Sequence, residues 1–416
     1  MSPDRGSPPV LPPAAAPPAE RVWTRRGTPA YVRINWALFL SGYAVFSQIY
    51  CTQPLLPVLA EHFGVGAATS SLALSLTTGF LAVSIFVAGA LSESVGRKTL
   101  MFASLVAAAV LELTAAVAPS WHLLLIIRAL EGVALGGAPA VAMAHLAEEI
   151  EPAGLGTAMG LYIGGNALGG MAGRVFTGLV AEVADWRWAL AVIGGLGLAS
   201  AIGFLVLLPP SHNFVPRPTR PLSAHLATWG RHLANPALAL VFAIGFLAMG
   251  GFVTTYNYIG FRLADPPFDL GQAAVGSIFV VYLFGILASP LAGRAADRFG
   301  RAPVIVAGTA LSALGLAATW PDSLAAIVVG IALLTAGFFA AHAAASGWIG
   351  LLARGDLGHA SSLYLLAYYL GSSVAGSLGG VFWTGLGWGG IIGFVGALHL
   401  ATGLLALRLY ARRRTS

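Results

Sequence analysis

Apolar residues fall into twelve runs along the chain, separated by short clusters of charged or turn-forming residues. A helix that crosses the hydrocarbon core of a bilayer needs about 20 such residues, and each run approaches or exceeds that length. The pattern therefore predicts an all-α membrane protein with twelve transmembrane helices, arranged as two pseudo-symmetric six-helix bundles. The predicted spans are 34–60, 69–92, 99–117, 121–145, 156–181, 187–208, 237–261, 272–293, 302–319, 323–346, 359–384 and 388–409.

The same pattern divides the chain into five regions. A proline-rich tail at 1–30 is expected to be disordered, and it has no apolar stretch that would make it a signal peptide. The two six-helix halves are 31–208 and 237–410. The linker at 209–236 joins them on the cytoplasmic side, and its prolines predict that no helix runs through it. A basic cytoplasmic tail at 411–416 ends the chain.

Composition and charge agree with membrane helices. Hydrophobic residues make up 57% of the chain and charged residues only 9%, whereas soluble domains are about one quarter charged. Of the 22 basic residues, 18 fall in the tails and in loops on one side, the others being Arg128, Arg174, Arg187 and Arg262. The positive-inside rule then predicts a multi-pass protein of the plasma (inner) membrane with both termini cytoplasmic. The net charge of +6 is assigned to topology, and no nucleic-acid partner is expected.

Candidate residues for catalysis are scarce. The single cysteine, Cys51, excludes an internal disulfide and offers no zinc or redox motif. The sequence contains no Walker motif and no metal-ligand cluster. We therefore expect no enzymatic activity, no metal and no cofactor.

The two halves repeat each other at offsets of 202 to 205 residues. The segment GALSESVGRK at 89–98 recurs as GRAADRFGRA at 293–302, and the pair Leu161-Tyr162 recurs as Leu363-Tyr364. Matches in the same order indicate a duplicated six-helix unit. Parallel repeats of this kind place a solute site between the halves, near the middle of the membrane.

The repeated loop resembles the G-x-L-x-D-R-x-G-R-K motif of the major facilitator superfamily, with Glu in place of Asp and Ser94 in place of Arg. The resemblance covers 34–410 and is closest to the YnfM-type branch, which is associated with drug efflux. It implies a conformational latch that opens and closes as the halves rock; the alternative is a charged loop that only anchors the topology. The latch residues are Gly89, Glu93, Gly96 and Arg97 in the first half and Gly293, Asp297, Arg298, Gly300 and Arg301 in the second.

Buried charges in the first half indicate proton coupling. Arg128 and Glu131 are three residues apart, so they share a helix face, and both lie well inside a predicted span. A charge there costs on the order of 3 kcal/mol, and such residues usually pair or face a water-filled cavity. Glu131 is the predicted proton site, with Arg128 adjusting its proton affinity and Glu112 on the adjacent helix. A static ion pair that only holds helices together is the alternative.

Polar and aromatic residues within the spans are candidates for the wall of a solute cavity. The first span carries Tyr43, Phe46, Tyr50 and Gln53 on one face. In the glycine-rich fifth span, Asn166 stands where the family's antiporter element has proline. Arg174, one turn beyond Gly170, is predicted to bind an anionic substrate or to pair with Glu112. The seventh span adds Thr254 and Asn257, and aromatic residues of the membrane interface are the alternative reading of this region.

These features lead to a function. The resemblance implies secondary active transport by alternating access, with proton-coupled efflux of drug-like or hydrophobic compounds ahead of import of a small metabolite or export of an anion. A non-transporting receptor or channel is the alternative from a different class. The expected partners are a small-molecule substrate, protons and the lipid bilayer, and the expected state is a monomer. Histidines within spans, His342 and His399, are candidates for proton relay or for simple packing.

Overall fold

The computed structural model describes residues 22–214, 221–353 and 356–414. Within these ranges the protein is built from α-helices, with one short 3₁₀ turn at Ile278–Val281 and a single isolated bridge between Thr24 and Ile150. Most of the tail predicted at 1–30, and part of the linker, lie outside the described residues. The helices of the first half are α1 (Pro29–Tyr50), α2 (Leu56–Phe63), α3 (Ala67–Ser70), α4 (Leu72–Val95), α5 (Arg97–Ala115), α6 (Trp121–Leu135), α7 (Pro139–Glu149), α8 (Pro152–Val183) and α9 (Trp186–Leu207).

The linker carries a helix, and the second half follows it. The linker helix is α10 (Leu222–Ala234), which the sequence pattern did not predict; it lies between two prolines of the linker, and no helix of the described residues runs through the linker. Pro221 precedes this helix and Pro236 begins the next one, and proline is compatible with a helix at its first turn. The remaining helices are α11 (Pro236–Ala264), α12 (Gln272–Ser277), α13 (Tyr282–Phe299), α14 (Arg301–Ala318), α15 (Leu324–Leu352) and α16 (Leu357–Arg414).

Two predicted spans are interrupted, and the last two are separated by a reversal of the chain. The first is broken between Tyr50 and Leu56, where residues 51–55 form turns around Pro54. The fourth is broken before Pro139, because proline lacks the amide hydrogen that would continue the helix. The last two form the two arms of α16 and meet at Gly387, whose backbone is not helical; the rings of Phe382 and Phe394 on either side of it lie 4.5 Å apart, so the chain turns back on itself there.

Nine helical segments of the described chain are long and apolar enough to cross a membrane. They include Trp121–Glu149 as one unit and Leu357–Ala411 as another, while α1 and α8 are not among them. The protein is therefore an α-helical multi-pass membrane protein, and the count of twelve spans stays a prediction.

Glycines set the packing within each half. A side chain at Gly169 of α8 would collide with the backbone of Tyr43 in α1, and one at Gly371 of α16 would collide with the backbone of Phe246 in α11. Gly169 and Gly371 are 202 residues apart, and Tyr43 and Phe246 are 203 residues apart, so the same contact is repeated in the two halves. Because only glycine lets two helix backbones approach this closely, these glycines set the distance between the paired helices in each half.

The halves meet at the ends of helices that lie farthest from the linker. Gly178 of α8 packs against Gly276 of α12, and Ser373 Oγ of α16 donates to the Ser75 carbonyl of α4 at 2.7 Å. Glu182 accepts a hydrogen bond at 3.1 Å from the Ala273 amide, at the first turn of α12. These contacts close the path between the halves on the side opposite the linker.

Candidate functional site

A cluster of three buried charges occupies the interior of the first half. Arg128 of α6 donates through Nη1 to Glu112 Oε2 of α5 and to Glu131 Oε2 of α6, both at 2.6 Å. All three side chains are 0% exposed. The structure thus brings together the three residues predicted to couple protons, with one guanidinium shared by two carboxylates.

The same guanidinium holds the broken end of α1. Its Nη2 donates to the carbonyls of Gln48 (3.2 Å) and Ile49 (3.1 Å), which lie in the last turn before the break at residues 51–55. Carbonyls at the end of a helix have no partner within it, so Arg128 supplies one. Cys51, the first residue of the break, donates its thiol hydrogen to Glu112 Oε1 at 3.1 Å. This role of Cys51 could not be predicted from the sequence, because the contact depends on how α1 packs against α5.

Charge balance shows what the cluster can do chemically. Two ionised carboxylates and one guanidinium leave one negative charge, and a buried net charge is costly. One proton on either carboxylate makes the cluster neutral. Glu131 Oε1 has no hydrogen-bond partner among the described residues, so it offers a free oxygen for that proton.

A second buried arginine lies between the halves. Arg174 of α8 is 1% exposed; its Nε donates to Gln53 Oε1 at 2.7 Å and its Nη1 to the Gly170 carbonyl at 2.6 Å. Its guanidinium lies 4.1 Å from the ring centre of Tyr50. The alternative that Arg174 pairs with Glu112 is wrong, because Glu112 binds Arg128 instead.

Gln53 joins this arginine to the second half. Its amide nitrogen donates to Asn257 Oδ1 of α11 at 2.7 Å, while its oxygen accepts from Arg174. Asn257 Nδ2 has no hydrogen-bond partner among the described residues, although Asn257 is 0% exposed. Of the residues predicted to bind substrate, Tyr50, Gln53, Arg174 and Asn257 thus form one contiguous group.

The other predicted substrate-binding residues lie at the edge of this group or in contacts between helices. Tyr43 and Phe46 are half-buried on α1, toward the linker side, and the Phe46 ring lies 6.1 Å from that of Tyr50. Thr254 Oγ1 donates to the Ala375 carbonyl at 2.9 Å and so faces α16. The Asn166 oxygen packs where a side chain at Gly42 would lie. Thr254 and Asn166 therefore hold helices together in this conformation.

Two aromatic residues that sequence reasoning missed complete the surroundings of Arg174. Its guanidinium lies 4.9 Å from the ring centre of Phe279 and 4.7 Å from that of Tyr282, both in the second half. Tyr282 stands at the start of α13, after the 3₁₀ turn. A tyrosine inside an otherwise apolar predicted span was the available signal.

The repeated loops share a backbone but differ in their ion pairs. Gly96 and Gly300 precede α5 and α14 with φ of 97° and 90°, a conformation that favours glycine. Arg97 pairs with Glu148 at the end of α7, with Nε donating to Oε2 at 2.6 Å. In the part of the second half that the structure describes, Asp297 makes no ion pair.

The remaining latch residues are placed as follows. A side chain at Gly89 or Gly293 would meet nothing within 4 Å, so no helix packs closely on these glycines in this conformation. Arg298 lies 5.1 Å from the ring centre of Phe299, and the Arg301 guanidinium lies near Gly347. The side chain of Glu93 is outside the described residues. The latch itself stays a prediction.

The two predicted histidines lie in the second half. His342 Nδ1 is hydrogen-bonded to the Tyr364 hydroxyl at 2.9 Å, and its ring stacks on Phe338. His399 is 6% exposed and lies against Gly251. Neither contacts the charged cluster, so both positions suit packing.

Comparison with known proteins agrees with this fold. The sequence pattern described as Major Facilitator Superfamily matches residues 38–271 and 263–416. The chain is 46% identical over 388 residues to the inner membrane transport protein YnfM of Escherichia coli, covering 93% of each chain. It is 28% identical over 379 residues to a chloramphenicol efflux pump of Mycobacterium tuberculosis, covering 86% of this chain and 89% of the pump. The fold is similar to that of the nucleoside transporter NupG, with a TM-score of 0.74 at 13% identity, over 92% of this chain and 99% of NupG.

Proposed function

Because the chain belongs to the major facilitator superfamily, we propose that it is a secondary transporter that exports a small drug-like or hydrophobic solute in exchange for protons. The proposal includes the predicted topology of twelve spans, in the halves 31–208 and 237–410, with both termini and the linker in the cytoplasm. On that topology the contacts between the halves lie on the outer side. The structure then corresponds to a conformation that is closed to the outside.

The observation that carries proton coupling is the sharing of Arg128 between Glu112 and Glu131 in a site that is 0% exposed. A static ion pair needs only one carboxylate for one guanidinium. The second carboxylate gives the cluster a place for a proton that changes its net charge from negative to neutral. Residues of this kind inside membrane spans mark proton and ion pathways.

The break in α1 supplies the link from the proton to the solute. When Glu131 takes up a proton, its attraction for Arg128 falls, and the guanidinium's hold on the Gln48 and Ile49 carbonyls changes with it. Gln53, at the far side of the same break, contacts both Arg174 and the second half. Proton binding in the first half thereby bears on the contact between the halves, as alternating access requires.

Export is favoured by the relative whose printed name is a chloramphenicol efflux pump. Import of a small metabolite, or export of an anion, uses the same cluster with a different solute and stays the second candidate because of the buried cation at Arg174. A non-transporting receptor or channel would not need a titratable cluster beside the contact between its halves.

Transport in reconstituted vesicles tests the proposal. The wild-type chain and the Glu131→Gln variant are compared with a panel of dyes and organic anions, with and without an imposed pH gradient. We expect the gradient to accelerate wild-type transport about tenfold or more, and to have no effect on Glu131→Gln, because the amide cannot take up the proton. His399→Gln serves as the control, since this residue does not contact the cluster. If the gradient accelerated Glu131→Gln as much as wild type and His399→Gln, coupling through Glu131 would be contradicted.

A further inference from the structure

We propose that Arg174 and the aromatic rings around it form the binding site for an organic monoanion, a carboxylate carried on a flat, aromatic body. This inference rests on the proposed transport function and names the class of its solute. Drug-like compounds that are carboxylates at neutral pH satisfy both.

The first step is the missing counter-charge of Arg174. Arg128 has two carboxylates within 2.6 Å, whereas the described residues place no carboxylate within 4.0 Å of Arg174, which is 1% exposed. Its hydrogen-bond partners, Gln53 Oε1 and the Gly170 carbonyl, are neutral. A buried cation without an anion is costly, so the site is suited to an anion that the solute supplies.

The second step is the position of the site between the halves. Tyr50, Gln53 and Gly170 come from the first half, and Phe279 and Tyr282 come from the second. A solute held here touches both halves, so its binding changes how they sit together. One turn beyond Arg174, Gly178 packs against Gly276 and closes the outer side.

The third step is the chemistry of the surroundings. Three rings, those of Tyr50, Phe279 and Tyr282, lie within 5 Å of the guanidinium, and aromatic faces attract both cations and other flat rings. Tyr282 continues into a group of rings through Phe252 (5.6 Å) and Phe339 (5.9 Å). An aliphatic chain would gain less from these faces than an aromatic body does.

A neutral group now holds the position that the anion would take. The Gln53 oxygen occupies a position on the guanidinium that a carboxylate oxygen would take with a stronger, charge-assisted hydrogen bond. The Gln53 amide nitrogen donates to Asn257 Oδ1, and the Asn257 amide nitrogen, which has no partner among the described residues, lies beside Gly376 of α16. The solute carboxylate therefore displaces Gln53 from Arg174.

Equilibrium binding to the purified full-length chain in detergent tests the proposal. The probes share one shape: 2-naphthoate, its neutral amide, the corresponding naphthylmethylammonium cation, and the saturated decahydronaphthoate. We expect wild type to bind naphthoate at least about tenfold more tightly than the amide, and not to bind the cation. Arg174→Gln should lose this preference, and Arg174→Lys should keep part of it, because a charge-assisted hydrogen bond is lost or weakened.

Two further variants separate a binding role from a structural one. Arg187→Gln is the matched control, because Arg187 also lies over a ring (Trp186, 4.3 Å) and donates to backbone carbonyls, but away from the halves' contact. Tyr282→Leu should reduce the preference for naphthoate over decahydronaphthoate about threefold or more, a ratio that general destabilisation does not change. The proposal is overturned if wild type shows no saturable carboxylate binding, if it prefers the cation, or if Arg174→Gln binds naphthoate unchanged.

Binding is measured without a pH gradient, so its failure is distinguishable from failure of proton coupling. Carboxylate binding that needs Arg174, together with gradient-independent transport, would leave the anion site standing and remove Glu131 from the mechanism. Gradient-driven transport of cations alone would leave proton coupling standing and remove the anion site.

Discussion

The two halves of the chain share their helix packing and differ in their buried charges. Gly169 against Tyr43 in the first half corresponds to Gly371 against Phe246 in the second. Yet the fully buried ion pairs of the described residues, those of Arg128, are confined to the first half. Duplication has preserved the packing of the helices, whereas the buried charges have diverged.

The two helices that carry Tyr43 and Phe246, α1 and α11, also differ between the halves. α1 ends at Tyr50 and breaks at residues 51–55, where Arg128 binds its last carbonyls. α11, its counterpart, runs without interruption from Pro236 to Ala264. The break and the charges therefore occur together. A helix whose end is held by a titratable cluster can respond to a proton, and a continuous helix cannot respond in that way.

Of the variants that test this comparison, the one that removes the charge of Arg128 should have the largest effect. Arg128→Leu leaves two buried carboxylates without a cation, and loss of one member of a buried ion pair costs about 3–5 kcal/mol. We expect a comparable fall in the free energy of unfolding, measured by SDS titration, and loss of transport. Arg262→Leu is the control in the second half, because its ionic partner Asp322 is 69% exposed and can be hydrated.

A triple variant sharpens that result. Combining Arg128→Leu with Glu112→Gln and Glu131→Gln removes all three charges, so we expect most of the stability to return while acceleration by a pH gradient stays absent. If the triple variant were as unstable as Arg128→Leu alone, the hydrogen bonds from Arg128 to Ala73, Gln48 and Ile49, and not the charges, would dominate the fold.

Adding side chains at the shared glycine contacts should have similar effects in the two halves. We expect Gly169→Val and Gly371→Val each to destabilise the protein by about 1–3 kcal/mol, because each forces two helix backbones apart. Gly164→Val on α8 and Gly403→Val on α16 are the matched controls, since a side chain there meets nothing within 4 Å. A large effect in one half alone would contradict the view that the packing is duplicated.

The sequence allowed the helical membrane fold and the charged cluster to be predicted, for two physical reasons. Apolar runs of the length of a bilayer leave few alternatives to membrane helices. A charge inside such a run is costly, so Arg128, Glu112 and Glu131 were expected to pair with one another or to contact water. The partner of Arg174 could not be predicted in the same way. Its hydrogen bond goes to the neutral side chain of Gln53, and a neutral residue inside a span does not stand out in the sequence as a charged one does.

Local interruptions of helices could be predicted only in part. The predicted spans 359–384 and 388–409 leave a gap at Gly387, whereas hydropathy averages over a span and does not register that residues 51–55 leave the helix. Prolines show where a helix stops and not whether a helix lies between them, so the linker helix α10, with Pro221 and Pro236 at its boundaries, was not predicted. Contacts between Phe279, Tyr282 and Arg174 join residues more than 100 positions apart and depend on how the halves meet.

The smallest expected effect concerns the repeated loops. Arg97 and Glu148 form an ion pair whose side chains are 11% and 30% exposed, and pairs that are reached by solvent contribute about 0.2–1 kcal/mol. A double-mutant cycle with Arg97→Gln and Glu148→Gln should give a coupling free energy in that range, read from SDS unfolding. The second-half copy places Arg301 near Gly347 and without an ion pair among the described residues.

Arg301→Gln paired with Leu351→Gln should therefore give a coupling close to zero; Leu351 stands one residue before the end of α15, as Glu148 does in α7. Equal coupling in both copies would mean that the latch is symmetric and that the difference between the halves is confined to the membrane interior. Unequal coupling extends that difference to the cytoplasmic loops of the proposed topology. In that case the half that carries the buried ion pairs of Arg128 also carries the stronger loop ion pair, that of Arg97 and Glu148 between α5 and α7.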